Sequence, residues 1–213
     1  MAFVDFDAAP ANCGGAEGST RSLARRLWRA EHEPDAQLFS LASRARERLA
    51  GPVGRVESAG RFEDAAARRA LIAVLPPLLA GSLKTQFEWY GCRGAFFHND
   101  AHFDGVLFGV WSLAGPPREL VFPRAGARVS ARVGSLVVFD PFEPHGVLDA
   151  GRASYRKDDY EETEANLFLG FEVALTSDIR VALEIGDARA GHPTLSSRVA
   201  IHPETGAFAT AGA

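Results

Sequence analysis

Between Gly81 and Ala150 the apolar runs follow one another too closely to leave room for helices. Gly105 to Leu113 is almost wholly apolar and reads as a strand buried on both faces. Gly115-Pro116-Pro117 is a turn, Leu120 to Phe122 a short strand, Gly126 to Val133 an alternating strand, and Ser135 to Phe139 another buried one. A parallel α/β fold needs a helix between successive strands, so this spacing excludes it and predicts an antiparallel β-sandwich or jelly roll. Phe87, Trp89 and the phenylalanines near 97 extend the period-2 pattern upstream. Leu167 to Leu175 and Ile179 to Ile185 read as further strands.

The preceding third of the chain reads as helical. Ser19-Thr20 offers a cap, and Leu23, Leu27 and Trp28 recur at helical spacing. Pro34-Asp35 ends that segment and caps a second helix to about Ala50, and a third is expected over Glu63 to Leu75. The expected layout is one α+β, mainly β, domain over 1–213. It comprises a helical layer at 1–83, a double-stranded β-helix core at 84–185 and a C-terminal extension at 186–213. The charged stretch 151–165 reads as an exposed loop or helical insertion.

With 213 residues and 46% hydrophobic content, the chain has enough core to stand without staples. A net charge of −4 argues against a nucleic-acid partner. No membrane-spanning run or signal-peptide pattern occurs, so a cytoplasmic location is expected. Cys13 and Cys92 match no zinc or redox spacing. Arg93 beside Cys92 is a feature that lowers a thiol pKa, but no histidine lies nearby in sequence to act as base.

One segment carries chemistry. Phe97-His98-Asn99-Asp100 is followed at once by His102-Phe103-Asp104, giving His-x-Asp twice over. Residues i and i+2 of a strand point to one face, so either pair presents an imidazole and a carboxylate together. A further histidine, His145, follows the buried strand at 135–139. Two histidines and one carboxylate, with the other positions open, suit a non-haem Fe(II) oxygenase. His98 and Asp100 leave a short connector before the strand at 105–113, whereas His102 and Asp104 leave none. The expected ligands are therefore His98, Asp100 and His145, with His102 and Asp104 as the alternative pair.

The aromatic-His-x-Asp start and the Gly-x-Leu-x-x-Phe lead-in from Gly134 to His145 resemble the Fe(II)/2-oxoglutarate-dependent dioxygenases, in particular a bacterial branch that hydroxylates free amino acids. The resemblance covers about residues 84–175. It implies a double-stranded β-helix with Fe(II) and 2-oxoglutarate as cofactors, dioxygen as co-substrate and a small polar metabolite, such as a free amino acid, as substrate. It also implies an arginine or lysine after the distal histidine that grips the far carboxylate of 2-oxoglutarate. Arg156 and Arg152 stand at that remove, with Tyr155 and Tyr90 as weaker hydroxyl donors. Two other readings stay open. One is a cupin-like metalloenzyme that does not use 2-oxoglutarate and takes Glu143 or Glu172 as a further ligand. The other is a non-enzymatic small-molecule-binding β-sandwich. Trp89 and Trp111 are expected in the core, and His32, His192 and His202 away from any site.

Overall fold

In the computed structural model, residues 2–6, 12–14, 20–100, 103, 105–186, 194–195 and 201–207 are described. Ahead of residue 83 come β1 (Ala2–Asp5), β2 (Asn12–Gly14), β3 (Thr20–Ser22), β4 (Arg26–Glu31), helix α1 (Ala36–Arg46), β5 (Val53–Gly54), β6 (Glu57–Phe62), and helices α2 (Ala65–Val74) and α3 (Pro77–Ala80). Then β7 (Leu83–His98), β8 (Val106–Ala114), β9 (Glu119–Phe122), β10 (Ala127–Ser130), β11 (Ser135–Phe139) and β12 (His145–Leu148) follow with no helix between them. A 3₁₀ turn (Lys157–Tyr160), β13 (Asn166–Ala174), α4 (Ser177–Ala182) and β14 (Thr194–Leu195) complete the order.

The strands run β1-β4-β11-β8-β13-β7-β12-β9-β10 across a curled, antiparallel jelly roll. Strand β7 belongs to both layers. Its residues Leu83 to Cys92 pair with β13 in the larger sheet, and Ala95 and His98 pair with β12 in the smaller. The changeover lies at Gly94, whose φ is 64°. A Cβ there would sit 2.7 Å from the Tyr160 ring, so both backbone and packing require glycine. Outside this path, β6 pairs antiparallel and β5 parallel with β7.

Strand alternation distributes the apolar side chains over three cores. Leu136 and Val138 face outward with Trp89, Trp111 and Phe171, under Leu38 and Ala42 of α1 and Leu71 and Val74 of α2. Val137 and Phe139 face inward, where they meet Phe108 and Phe168 and, from the smaller sheet, Leu120, Phe122 and Val147. On the outer side of the smaller sheet, Phe97, Val121 and Leu148 lie with Tyr155 and Tyr160. Helices α1 and α2 start where expected. Asp35 accepts from Leu38 N, and Asp64 accepts from Ala66 N and Ala67 N.

Two expectations are corrected. Residues 26–31 form β4, not a helix, hydrogen-bonded between β1 and β11. Leu27 enters the inner core and Trp28 and Ala30 the helix-side core, so two adjacent buried apolar residues break the alternation at the start of β4. Residues 177–182 form helix α4, not a strand. Thr176 Oγ1 caps it by accepting from Ile179 N, and Asp178 occupies its first turn. Among the described residues no helix is long and apolar enough to cross a membrane.

Candidate metal centre

His98 ends β7, and His145 opens β12 directly opposite it in the strand register. Their ring centroids are 4.5 Å apart. Asp100 follows two residues after His98 and is fixed through the backbone, its N–H donating to Pro141 O at 2.7 Å. Its Oδ2 stands 3.5 Å from His145 Nε2 and 4.0 Å from His98 Nε2. One ligand atom from each residue lies within 4.8 Å of the others.

The backbone sets the tautomers. His98 Nδ1 lies 2.8 Å from Phe96 O, and His145 Nδ1 lies 2.8 Å from Glu143 O. A nitrogen facing a carbonyl carries the proton and donates, so each Nε2 turns its lone pair toward Asp100. Burial and the neighbouring His145 hold His98 below the usual imidazole range, against the opposing pull of Asp100. Two imidazole Nε2 atoms and a carboxylate thus face one point. Two imidazole nitrogens and one carboxylate oxygen are donor types that suit a divalent first-row transition-metal ion.

The loop before His145 is braced from the side. Glu143 is fully buried and grips Arg124, which donates from Nε at 3.0 Å to both carboxylate oxygens and from Nη2 at 2.6 Å. Burial pushes the Glu143 carboxyl up to about 7, against the pull of Arg124. Asp140 accepts from Ala24 N and Phe142 N. Phe139 packs edge-on against the His145 ring at 4.8 Å.

The triad borders a cavity of about 430 Å³. Val110, Leu120, Val137, Phe139, Val147 and Phe168 give it an apolar wall, and Ser112, Ser130 and Ser135 also line it. Arg61, Glu88 and Tyr90 lie on its wall as well. Arg61, half-exposed, donates to Glu172 at 3.2 Å and Gln86 at 3.3 Å. Tyr90 donates to Glu88 at 2.6 Å, and Ser58 also donates to Glu88. Burial, reinforced by Glu88, raises the Tyr90 phenol above its ordinary range.

The structure brings together His98, Asp100 and His145, while His102 and Asp104 fall outside the described residues. It does not bring Arg152 or Arg156 to the cavity. Both are exposed, and Arg152 lies 3.6 Å from Asp159. The segment 149–165 folds over the outer face of the smaller sheet and carries both arginines away from the barrel interior. Tyr155 is placed there too, stacked on Tyr160 at 5.3 Å. Glu143 and Glu172 are committed to Arg124, Arg61 and Lys84, and neither joins the triad. Trp89 and Trp111 lie in the helix-side core, and Trp111 Nε1 donates to His32 O. His202 is exposed, and His192 lies outside the described residues. Cys92 is buried, and desolvation pushes its thiol up to about 12, reversing the effect expected from Arg93. Arg118, whose side chain is fully buried beside Asp149, lies outside the cavity lining, and nothing in its sequence pattern marks its burial.

No protein-family model matches the chain, and no curated protein does. Solved structures are similar at low levels. A Pseudomonas putida prolyl-4-hydroxylase is 21% identical over 70% of this chain and 93% of its own, with a TM-score of 0.47. A Burkholderia pseudomallei oxidoreductase of the 2OG-Fe(II) oxygenase family is 13% identical over 79% and 73%, with a TM-score of 0.34. A Thermotoga maritima protein described as a predicted oxalate decarboxylase is 11% identical over 82% and 100%, with a TM-score of 0.30. These likenesses leave the chemistry of the site to its own residues.

Proposed function

We propose that the protein is a non-haem Fe(II) oxygenase that uses a 2-oxo acid, 2-oxoglutarate in the first instance, to hydroxylate a small molecule. The observation that carries this reading is the convergence of two imidazole Nε2 atoms and one carboxylate oxygen at the edge of an apolar cavity. The donor set fits the ion: neutral nitrogen and carboxylate oxygen ligands on one side, with the cavity side left for exchangeable ligands. Bound Fe(II) would supply oxidation of a C–H bond by dioxygen, coupled to conversion of 2-oxoglutarate into succinate and carbon dioxide.

The chain's own residues do the rest. Phe96 O and Glu143 O hold His98 and His145 in the metal-binding tautomer. Asp100 would offset part of a bound cation's charge. Val110, Val137, Phe139 and Phe168 exclude water from the reacting bond, which suits a substrate with an apolar body. Arg61 and Glu88 place one charge of each sign on the cavity wall, where they would meet the substrate's polar groups.

The test is spectroscopic. Fe(II) and 2-oxoglutarate added without oxygen should give the visible charge-transfer band of a chelated 2-oxo acid, and admitting oxygen should bleach it with release of succinate. Metal binding without a band favours a metalloenzyme that does not use 2-oxo acids. No metal binding overturns the reading.

A further inference from the structure

We infer that Glu88 is the residue that selects the substrate, by receiving a protonated alkylamine group whose hydrocarbon body runs toward the triad. This rests on the oxygenase reading above and goes beyond the resemblance, which names no residue for the substrate.

Placement comes from β7. It carries Glu88 and Tyr90 two residues apart on one face and, past the changeover at Gly94, His98. Glu88, Tyr90 and His98 line the same cavity. The Glu88 carboxylate is fixed by two neutral donors, the hydroxyls of Ser58 and Tyr90. Burial raises the Tyr90 phenol above its ordinary range, so it stays protonated and keeps donating.

The neighbouring cations are drawn elsewhere. Arg61 stands opposite Glu88 in the strand register, yet its guanidinium reaches Glu172 at 3.2 Å and Gln86 at 3.3 Å. Lys84 lies 2.8 Å from the same Glu172. Glu172 thus holds two cations, and Glu88 is paired with none among the described residues. Hydroxyls hold a carboxylate in place without neutralising it, and a charge at the wall of an apolar cavity is costly until an opposite one joins it. An ammonium group supplies both the opposite charge and the N–H donors for charge-assisted hydrogen bonds.

Aromatic rings continue the site toward the metal centre. Gly170 of β13 stands opposite Glu88, and a Cβ there would lie 2.2 Å from the Tyr90 ring. Glycine at this point lets Tyr90 lie across β13 to meet Phe108, with ring centroids 5.7 Å apart. Phe103 stacks on Phe108 at 5.7 Å. Phe108 meets Phe139 edge-on at 5.9 Å, and Phe139 packs on the His145 ring. Ring faces attract an ammonium ion and cover the alkyl chain behind it. The strip from Glu88 to His145 therefore suits an amine with an apolar body.

Calorimetric titration of the Fe(II)-loaded protein without oxygen, with n-pentylammonium and 1-pentanol, reads this directly. Wild type should bind pentylammonium roughly 10- to 100-fold more tightly, the range expected for charged hydrogen bonds. Glu88→Gln keeps the shape of the side chain and should erase that preference, leaving 1-pentanol and Fe(II) binding unchanged. Should Glu88→Gln not fold, the side-chain carboxyl ¹³C resonance of Glu88 in labelled wild type decides: pentylammonium should shift it, and 1-pentanol should not. The same titrations of metal-free wild type and Glu88→Gln read the preference without iron, so failure of the metal reading and failure of this one are distinguishable. No preference in wild type, a preference that survives Glu88→Gln, or an unmoved resonance overturns the inference.

Discussion

Gly94→Ala is expected to be strongly destabilising, because two separate penalties meet there. Gly94 has φ at 64°, in the left-handed region, which costs an alanine about 1–2 kcal/mol. Its new Cβ would also lie 2.7–2.8 Å from three carbons of the Tyr160 ring. That ring cannot swing aside cheaply. It stacks on Tyr155, lies beneath the Arg118 guanidinium, and its hydroxyl accepts from Asp149 N. Overpacking of this kind costs about 1–3 kcal/mol more, so the total is about 2–5 kcal/mol. Gly126→Ala is a matched control. Its φ is 63°, but nothing lies within 4 Å of the added Cβ, so only the backbone penalty applies. Urea unfolding of wild type and both variants should separate them by about 1–3 kcal/mol. Equal losses, within about 0.5 kcal/mol, would refute the claim that Tyr160 packing fixes the point where β7 changes sheets to deliver His98.

Two further outcomes follow from buried groups. Desolvation raises the Cys92 thiol from 9.0 to about 12. Its contribution to stability is therefore full below pH 9 and is lost as pH rises toward 12. By pH 10 the loss is about 1.4 kcal/mol, and urea unfolding of Cys92→Ala across this window should lack that slope. Arg124→Met removes the clamp on Glu143, whose carbonyl holds the His145 ring. Fe(II) affinity measured by equilibrium dialysis should fall about 10-fold or more, and an unchanged affinity would mean that the loop positions His145 without Arg124.

Much of the barrel was legible because a half-buried strand advertises its period and a fully buried one its unbroken apolarity, as at 106–114 and 135–139. Where a strand carries neither signal, the reading failed. In β4, Leu27 and Trp28 serve opposite cores and mimic helical spacing. In β6, Glu57 to Phe62 is mostly polar or small and pairs beside β7, so its formation depends on a partner that local sequence does not reveal. α4 was misread because alternation of Ile179, Val181, Leu183 and Ile185 outweighed the Thr176 cap. At the site, His98 and Asp100 were visible because i and i+2 share a face, and His145 because it follows a buried strand. Arg152 and Arg156 lie on 149–165, which folds over the outer face of the smaller sheet through Tyr155 and Tyr160, long-range contacts that local sequence does not reveal.

The central claim is that His98, Asp100 and His145 bind one metal ion. Anaerobic equilibrium dialysis of chelator-treated protein against Fe(II) tests it most directly, with wild type and Asp100→Ala compared at matched thermal stability. The account predicts one Fe(II) per chain in wild type and at least about 100-fold weaker binding in the variant, since one of three ligands and the only negative charge among them is removed. Wild type that binds no Fe(II), or an Asp100→Ala variant that binds it equally well, would contradict the account.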